Sequence, residues 1–174
     1  MTVKDWFDEL NSKGLLCSDY YGRLTSALSK KQLADLALDA NGISFFCRMA
    51  QKGYPLPYNT MLSGYSRYIN GNYVYESKPN ARGYTYKTEM YVCYNDEKPI
   101  EVRTTSIALL GSKAVLNLKE FSIVNIHLDE NCDIDINCPL SARCRVYLYG
   151  DAKVNILNNS EKVKLIVVDK DAED

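Results

Sequence analysis

The chain has few of the residues on which catalytic and metal sites are usually built. Among its 174 residues there is one histidine, His127, and the six cysteines include no C-x-x-C pair. There is also no G-x-x-x-x-G-K-[ST] phosphate loop, no G-x-G-x-x-G dinucleotide fingerprint and no G-x-S-x-G nucleophile turn. The sequence therefore predicts no cofactor, no metal site and no catalytic residue, and it does not favour an enzyme.

Charge of neither sign dominates, and long apolar runs are missing. The 21 basic and 22 acidic side chains leave a formal net charge of −1. This balance lacks the basic footprint of a protein that binds duplex nucleic acid. Met1 to Asp5 leads directly into an amphipathic segment, and no stretch approaches the roughly 18 apolar residues of a membrane span. We expect no export signal and no membrane span, and free cysteines favour a cytoplasmic location.

What the sequence does contain is a repeated pattern of short segments in which apolar residues alternate with others. Successive segments between residues 107 and 167 begin 7 to 12 residues apart, which is enough for one strand and a turn. Two architectures satisfy this spacing: a β-solenoid with about two segments per coil, or an antiparallel sandwich or roll. The segments are Ile107, Ala108, Leu109; Ala114, Leu116, Leu118; Val124, Ile126, Leu128; Cys132, Ile134, Ile136, Cys138; Cys144, Val146, Leu148; Ala152, Val154, Ile156; and Val163, Leu165, Val167.

The first 57 residues predict helices. Apolar residues recur there at helical spacing, and capping residues and glycines divide the segment. Such short helices must pack on one another or cover the β region. In chain order, the predicted helices run from Thr2 to Gly14, from near Ser18 to Leu28, from Ser29 to a stop at Asn41-Gly42, and from about Ser44 to Lys52.

A tyrosine-rich segment follows, with ten of the fourteen tyrosines between Tyr54 and Tyr94. Asn70-Gly71 separates residues 65–69 from residues 72–75 and predicts a type I′ hairpin, and residues 84–94 predict a longer strand. Tyrosine suits protein interfaces, sugar stacking and, beside basic residues, stacking on single-stranded bases. It is also a strong strand former, so these rings are equally expected as packing between helices and sheet. The candidate binding residues are Tyr65, Tyr68, Tyr73, Tyr75, Arg82, Tyr84 and Tyr86.

Three cysteines and two carboxylates fall within the repeated segments. Cys132, Cys138 and Cys144 are in phase with apolar residues, which favours small core residues over a disulfide or a metal site. Asp133 and Asp135 share the opposite face of their strand. Such a pair can act as acid and base or bind a hard cation, but it more often belongs to a solvated face.

His127 is out of phase with the apolar residues around it. We therefore expect it to face away from the core, with no general-base role. Of the remaining cysteines, Cys17, Cys47 and Cys93 have apolar neighbours and add no support for a metal site.

Together these patterns predict an α+β protein in which a helical N-terminal region precedes a stack of short β-strands. Its regions are helical residues 1–57, tyrosine-rich hairpin residues 58–98, β-stack residues 99–168 and an acidic tail, 169–174. The helices and the tail are expected to cap the two ends of a solenoid.

The leading functional hypothesis is a non-enzymatic binding or assembly protein that uses the tyrosine-rich surface for a protein partner or for self-association. One alternative is a glycan-binding or carbohydrate-active module with Asp133 and Asp135 as its acid pair. The other is a protein that sequesters a small ligand between helices and sheet.

Overall fold

A computed structural model of the chain describes residues 3–26, 32, 40–54, 73–76, 87–92 and 94–169. None of the helices in these ranges has the length and apolar character needed to cross a membrane. The described helices are α1 (Val3–Ser12), α2 (Ser18–Ser26) and α3 (Ala40–Gln51), and a 3-10 turn covers Ser160–Lys162. The strands are β1 (Tyr73–Glu76), β2 (Lys87–Val92), β3 (Ile100–Val102), β4 (Ser106–Leu110), β5 (Lys113–Leu118), β6 (Ile123–Leu128), β7 (Asp133–Asn137), β8 (Arg143–Tyr149), β9 (Lys153–Asn158) and β10 (Val163–Val168).

The strands form two sheets that the chain visits in turn. Sheet A has the order β1-β2-β4-β6-β8-β10, and sheet B has the order β3-β5-β7-β9. The β1–β2 pair is antiparallel, and all the other strand pairs in the described residues are parallel. This is a β-solenoid of about four turns. The predicted solenoid is confirmed, and the antiparallel sandwich or roll is wrong.

Each coil contributes one strand to each sheet and spans about twice the predicted segment spacing. Ser106 aligns with Thr88 one coil earlier, and Arg143 aligns with Ile123, so the repeat is 18 to 20 residues in these pairs. Parallel neighbours need such a crossover because a tight turn cannot return the chain in the same direction. Strand β3 was not predicted, because three residues are too few to show an alternation.

The interior of the solenoid consists of the residues that the alternation predicts. In strands β5 to β7, and in β8 as far as Val146, the buried positions alternate with exposed or partly buried ones. Cys132, Cys138 and Cys144 are buried in this core with free thiols, as expected for small core residues. The fully buried members of the core are Ile107, Leu109, Leu116, Ile126, Leu128, Ile134, Ile136, Cys138, Ala142 and Val146.

The described helices cover the outer face of sheet A. Trp6 and Leu10 of α1 and Ile43 of α3 are buried in a second core that is separate from the solenoid interior. On the sheet side, this core contains Met90, Ala108, Leu110 and Tyr149. For the described helices, the expectation that they cap one end is therefore wrong: their apolar faces match the apolar outer positions of sheet A, so they pack across several coils. The acidic tail beyond Asp169 lies outside the described residues.

Helix α3 begins earlier than predicted. Asn41 and Gly42 lie in its first turn, whereas the sequence predicts that they stop a preceding helix. In the first turn the backbone N–H groups have no intrahelical acceptor, so residues that weaken a helix interior are tolerated there. Gly42 is also buried.

Strand β1 pairs with β2, and the register aligns Tyr73 with Met90 and Tyr75 with Thr88. The predicted hairpin partner, residues 65–69, and the Asn70-Gly71 turn lie outside the described residues. The described part of the predicted strand 84–94 is Lys87–Val92.

Strand β6 allows a direct test of the inward phase. Ile126 is fully buried and Ile123 is 75% exposed on the same strand. We expect Ile126→Ala to lower the free energy of unfolding by about 2–5 kcal/mol, because it leaves a cavity in a packed core. The matched change Ile123→Ala should cost no more than about 0.5 kcal/mol. Urea denaturation measures both, and equal losses would contradict the assigned phase.

Candidate functional site

The C-terminal end of the solenoid exposes the apolar interior to solvent. Leu165 of β10 stacks on Val146 of β8, and Val167 stacks on Leu148. Val146 is fully buried, but Leu165 is 49% and Val167 77% exposed, because no further coil among the described strands covers them. We call strands β9 and β10 the open end. The sequence indicates the open end, because the inward positions stay apolar through the last predicted segment. A terminal capping unit of a solenoid usually has a polar outer face instead.

Both strands of the open end also present an unused backbone edge. β9 is the last strand of sheet B and β10 is the last strand of sheet A, so each is paired with a strand on one side among the described residues. A free strand edge offers N–H and C=O groups that readily pair with a strand of another chain. The open end therefore combines two edges with an apolar strip between them.

The N-terminal end of the solenoid is closed by comparison. Ile100 and Val102 of the terminal strand β3 are buried, and so is Tyr91 of β2. The hydroxyl of Tyr91 donates a hydrogen bond of 2.8 Å to Oε1 of Glu89, and its ring packs edge-on against Tyr94 at 5.3 Å between centroids. Burial raises the pKa of Tyr91, so this hydroxyl stays protonated. The two ends thus differ in how well they protect the core.

A second group of exposed apolar side chains lies on the corners that lead from sheet B to sheet A. Phe121 is 82% exposed, Leu140 is exposed on the next such corner, and Ile123 is exposed where the first corner enters β6. The Phe121 backbone N–H donates to Oγ of Ser141 on the neighbouring corner, 3.3 Å away. Phe121 also has a φ of 60°, which is unusual for a residue that is not glycine. We call Phe121, Ile123 and Leu140 the corner patch.

The outer face of sheet B is polar and internally hydrogen-bonded. The amide of Asn137 donates to Asn117 at 3.3 Å, and the amide of Asn117 donates to Glu101 at 2.7 Å. Asn155 donates to Oδ1 of Asp135 at 3.1 Å. The parallel register stacks like positions of successive coils, so these side chains form ladders along the solenoid.

Asp133 and Asp135 lie on this face, as predicted, and line one cleft. The cleft measures about 440 Å³ and runs between strands β5 and β7 and the loop at residues 95–97. Asp133 aligns with Lys113 on one side and Lys153 on the other. No aromatic residue is among those that line the cleft, and the described residues contain no cluster of three metal-ligating side chains. Asp133 therefore lies next to two lysines in the strand register, on an exposed face.

His127 lies on the outer face of sheet A, where the helices cover it. Its ring stacks on Tyr147 at 4.6 Å between centroids, and Nδ1 lies 3.3 Å from the hydroxyl of Tyr149. That hydroxyl lies 3.3 Å from Oγ of Ser44 on α3. Burial lowers the pKa of His127 to about 4 and raises that of Tyr149 to about 12. His127 faces away from the solenoid interior, as predicted, and is partly buried on the outer face of sheet A.

Asp129 holds the corner between β6 and β7 and was not predicted. Its side chain is fully buried, and Oδ1 accepts hydrogen bonds from the backbone N–H groups of Gly111 at 2.8 Å and Asn131 at 3.2 Å. The thiol of Cys132 lies 3.3 Å from the same oxygen. The sequence signal is the Asp-Glu-Asn run directly after a strand, which is typical of an Asx turn. Asp129 is a structural residue that ties one coil to the next.

The buried thiols are poorly suited to act as nucleophiles. Burial raises the pKa of Cys132 and Cys47, and it raises the pKa of Cys144 to about 12. Because the thiolate is the reactive form, these cysteines stay inert near neutral pH. Cys17 is exposed, and Cys93 lies outside the described residues.

A cavity of about 490 Å³ lies among the helices. Its lining includes Leu15, Tyr20, Arg23 and Phe45, with the Arg23 guanidinium 5.8 Å from the centre of the Tyr20 ring. The lining residues all belong to the helical region, whereas the sequence places a ligand pocket between helices and sheet.

Most of the tyrosine-rich candidate residues lie outside the described part of the chain. This holds for Tyr65, Tyr68, Arg82, Tyr84 and Tyr86. Tyr73 and Tyr75 lie on β1, at the N-terminal edge of sheet A. Their role in binding stays a prediction.

Comparisons of the chain with protein families, with curated proteins and with solved structures gave no match.

The position of His127 under the helices predicts a pH-dependent stability. With a folded pKa of about 4 against 6.5 for the unfolded chain, His127 binds its proton more readily when unfolded. Its contribution to the free energy of unfolding is therefore complete above pH 6.5 and is lost as the pH falls toward 4, by about 2–3 kcal/mol. His127→Phe keeps a ring against Tyr147 and removes the titration.

Urea denaturation of both proteins between pH 7 and pH 4 measures this effect. The wild type should lose more stability than the phenylalanine variant over that interval. Parallel losses in the two proteins would show that His127 is solvated in the folded state.

Proposed function

We propose that this protein is a binding or assembly protein without catalytic chemistry, which associates with protein chains through the open end of its solenoid. The observation that carries the proposal is the exposure of Leu165 and Val167 at inward positions, beside two free strand edges. Full burial of a Leu or Val side chain contributes about 1.5–3 kcal/mol. Covering the open end therefore gives association a driving force that the closed end lacks.

The chemistry of the described residues supports a non-enzymatic role. The one histidine is neutral and packed under the helices. The thiols in the core are held protonated, and the paired carboxylates face lysine and asparagine side chains. The exposed groups that remain distinctive are apolar, as in surfaces that bind proteins.

Substitutions at two exposed residues of sheet A distinguish the open end from the corner patch as the interface. Val167 is 77% and Ile123 75% exposed, and both lie on strands, so a lysine at either position should leave the folded chain stable. We expect the wild type to associate as its concentration rises and Val167→Lys to weaken that association at least about 100-fold, because a charge would be buried. Ile123→Lys should associate as the wild type does.

Light scattering across a concentration series, with thermal denaturation of each variant, measures these outcomes. If Ile123→Lys alone abolishes association, the corner patch is the interface and the proposal for the open end is wrong. A wild type that stays monomeric throughout the series would also contradict it.

The tyrosine-rich segment remains the second surface that we propose for a protein partner or for self-association. Replacing Tyr73 and Tyr75 by alanine should change the association state while shifting the melting temperature by no more than about 2 °C. The register that aligns these residues with Met90 and Thr88 makes the melting temperature the informative control. A fall of about 8 °C or more would assign both tyrosines to packing.

A further inference from the structure

The open end has two strand edges and an exposed apolar strip between them, which match the same features on a second copy of the chain. We propose that two copies of this chain join tail to tail, with β10 pairing antiparallel to β10 and β9 antiparallel to β9 of the second copy. This inference rests on the proposed function and adds the identity and orientation of the partner. Three features of the described residues carry it: strand geometry, side-chain phase, and the difference between the ends.

The first feature is that β9 and β10 end the two sheets on the same coil. A partner must offer two strand edges, at the separation of the two sheets, to satisfy both at once. A second copy does so automatically. A two-fold axis normal to the sheets places each terminal strand beside its own counterpart, running in the opposite direction.

The second feature is the phase of the side chains. In an antiparallel pair, directly opposite residues share one face of the sheet. The inward residues of β10 are Val163, Leu165 and Val167. In any register that sets the inward residues of one copy opposite those of the other, the two solenoid interiors become continuous. The exposed inward side chains of both copies then become core, as they are in every earlier coil.

The third feature is that, in the part of the chain that the structure describes, the inward apolar residues at the opposite end of the solenoid are buried. Ile100 and Val102 are buried there, and β1 closes the edge of β2 with an antiparallel pair. Head-to-tail stacking would need a second open end and would produce filaments. Since the described residues expose the apolar interior at one end, we expect association to close at two copies.

Photo-crosslinking tests the orientation. A photoreactive benzoylphenylalanine is introduced in place of Lys164, which is exposed on β10, or in place of Glu101, which is exposed on β3. Neighbouring strands lie about 5 Å apart, and the two β3 strands of a tail-to-tail pair about 34 Å apart. We expect the probe on β10 to crosslink to β10 of the second copy, and the probe on β3 to give no product between copies.

The outcomes separate this inference from the proposed function. Crosslinks from the β10 probe to β1, β2 or β3 of another copy, or a mass that grows beyond two copies, would overturn the tail-to-tail arrangement but leave association through the open end intact. A mass of two copies that persists in Val167→Lys would overturn the arrangement and place the interface elsewhere. A wild-type protein that stays monomeric and gives no crosslink would overturn both.

Discussion

Each strand of the solenoid is held by the strand one coil away, and the rest of the structure depends on this parallel, in-register pairing. It satisfies the backbone groups of a strand through residues 18 to 20 positions along the chain, as in the pairs Thr88–Ser106 and Ile123–Arg143. It also stacks like positions on one another, so a single apolar alternation becomes a continuous core. The corners must then repeat as well, and Asp129 shows how a buried carboxylate fixes one of them.

The same stacking gives the two outer faces opposite characters. On sheet B, the ladder from Glu101 through Asn117 to Asn137 keeps the face polar, with its hydrogen bonds made between coils. On sheet A, the outer positions are Met90, Ala108 and their neighbours, and the helices cover them. The outer face of sheet B is therefore suited to contact with solvent, while the outer face of sheet A is covered by helices of the same chain. His127 is neutral because it lies on the covered face.

The inward phase from Ile107 to Val167 was predictable because burial of alternate residues depends on local sequence alone. The choice of solenoid over sandwich was not, since parallel and antiparallel pairing produce the same alternation. The placement of the helices on sheet A depends on outer positions such as Ala108 and Tyr149, which read as solvent-facing until the partner helix is known. Of the candidate binding residues, Tyr73 and Tyr75 could be placed on a strand, but no local pattern specified pairing of β1 with β2.

In a solenoid, the first and last coils each have a neighbouring coil on one side. The repeat itself therefore cannot pair the strand edges or cover the apolar side chains at both ends. At the first coil the chain changes direction: β1 runs antiparallel to β2, and Tyr91 and Tyr94 fill the space above the core. At the last coil the repeat continues unchanged to Val167, as if another coil followed. An end that exposes apolar inward side chains and strand edges can pair with the same kind of end on another chain. The contrast between the two ends is therefore the feature of this fold that points to association.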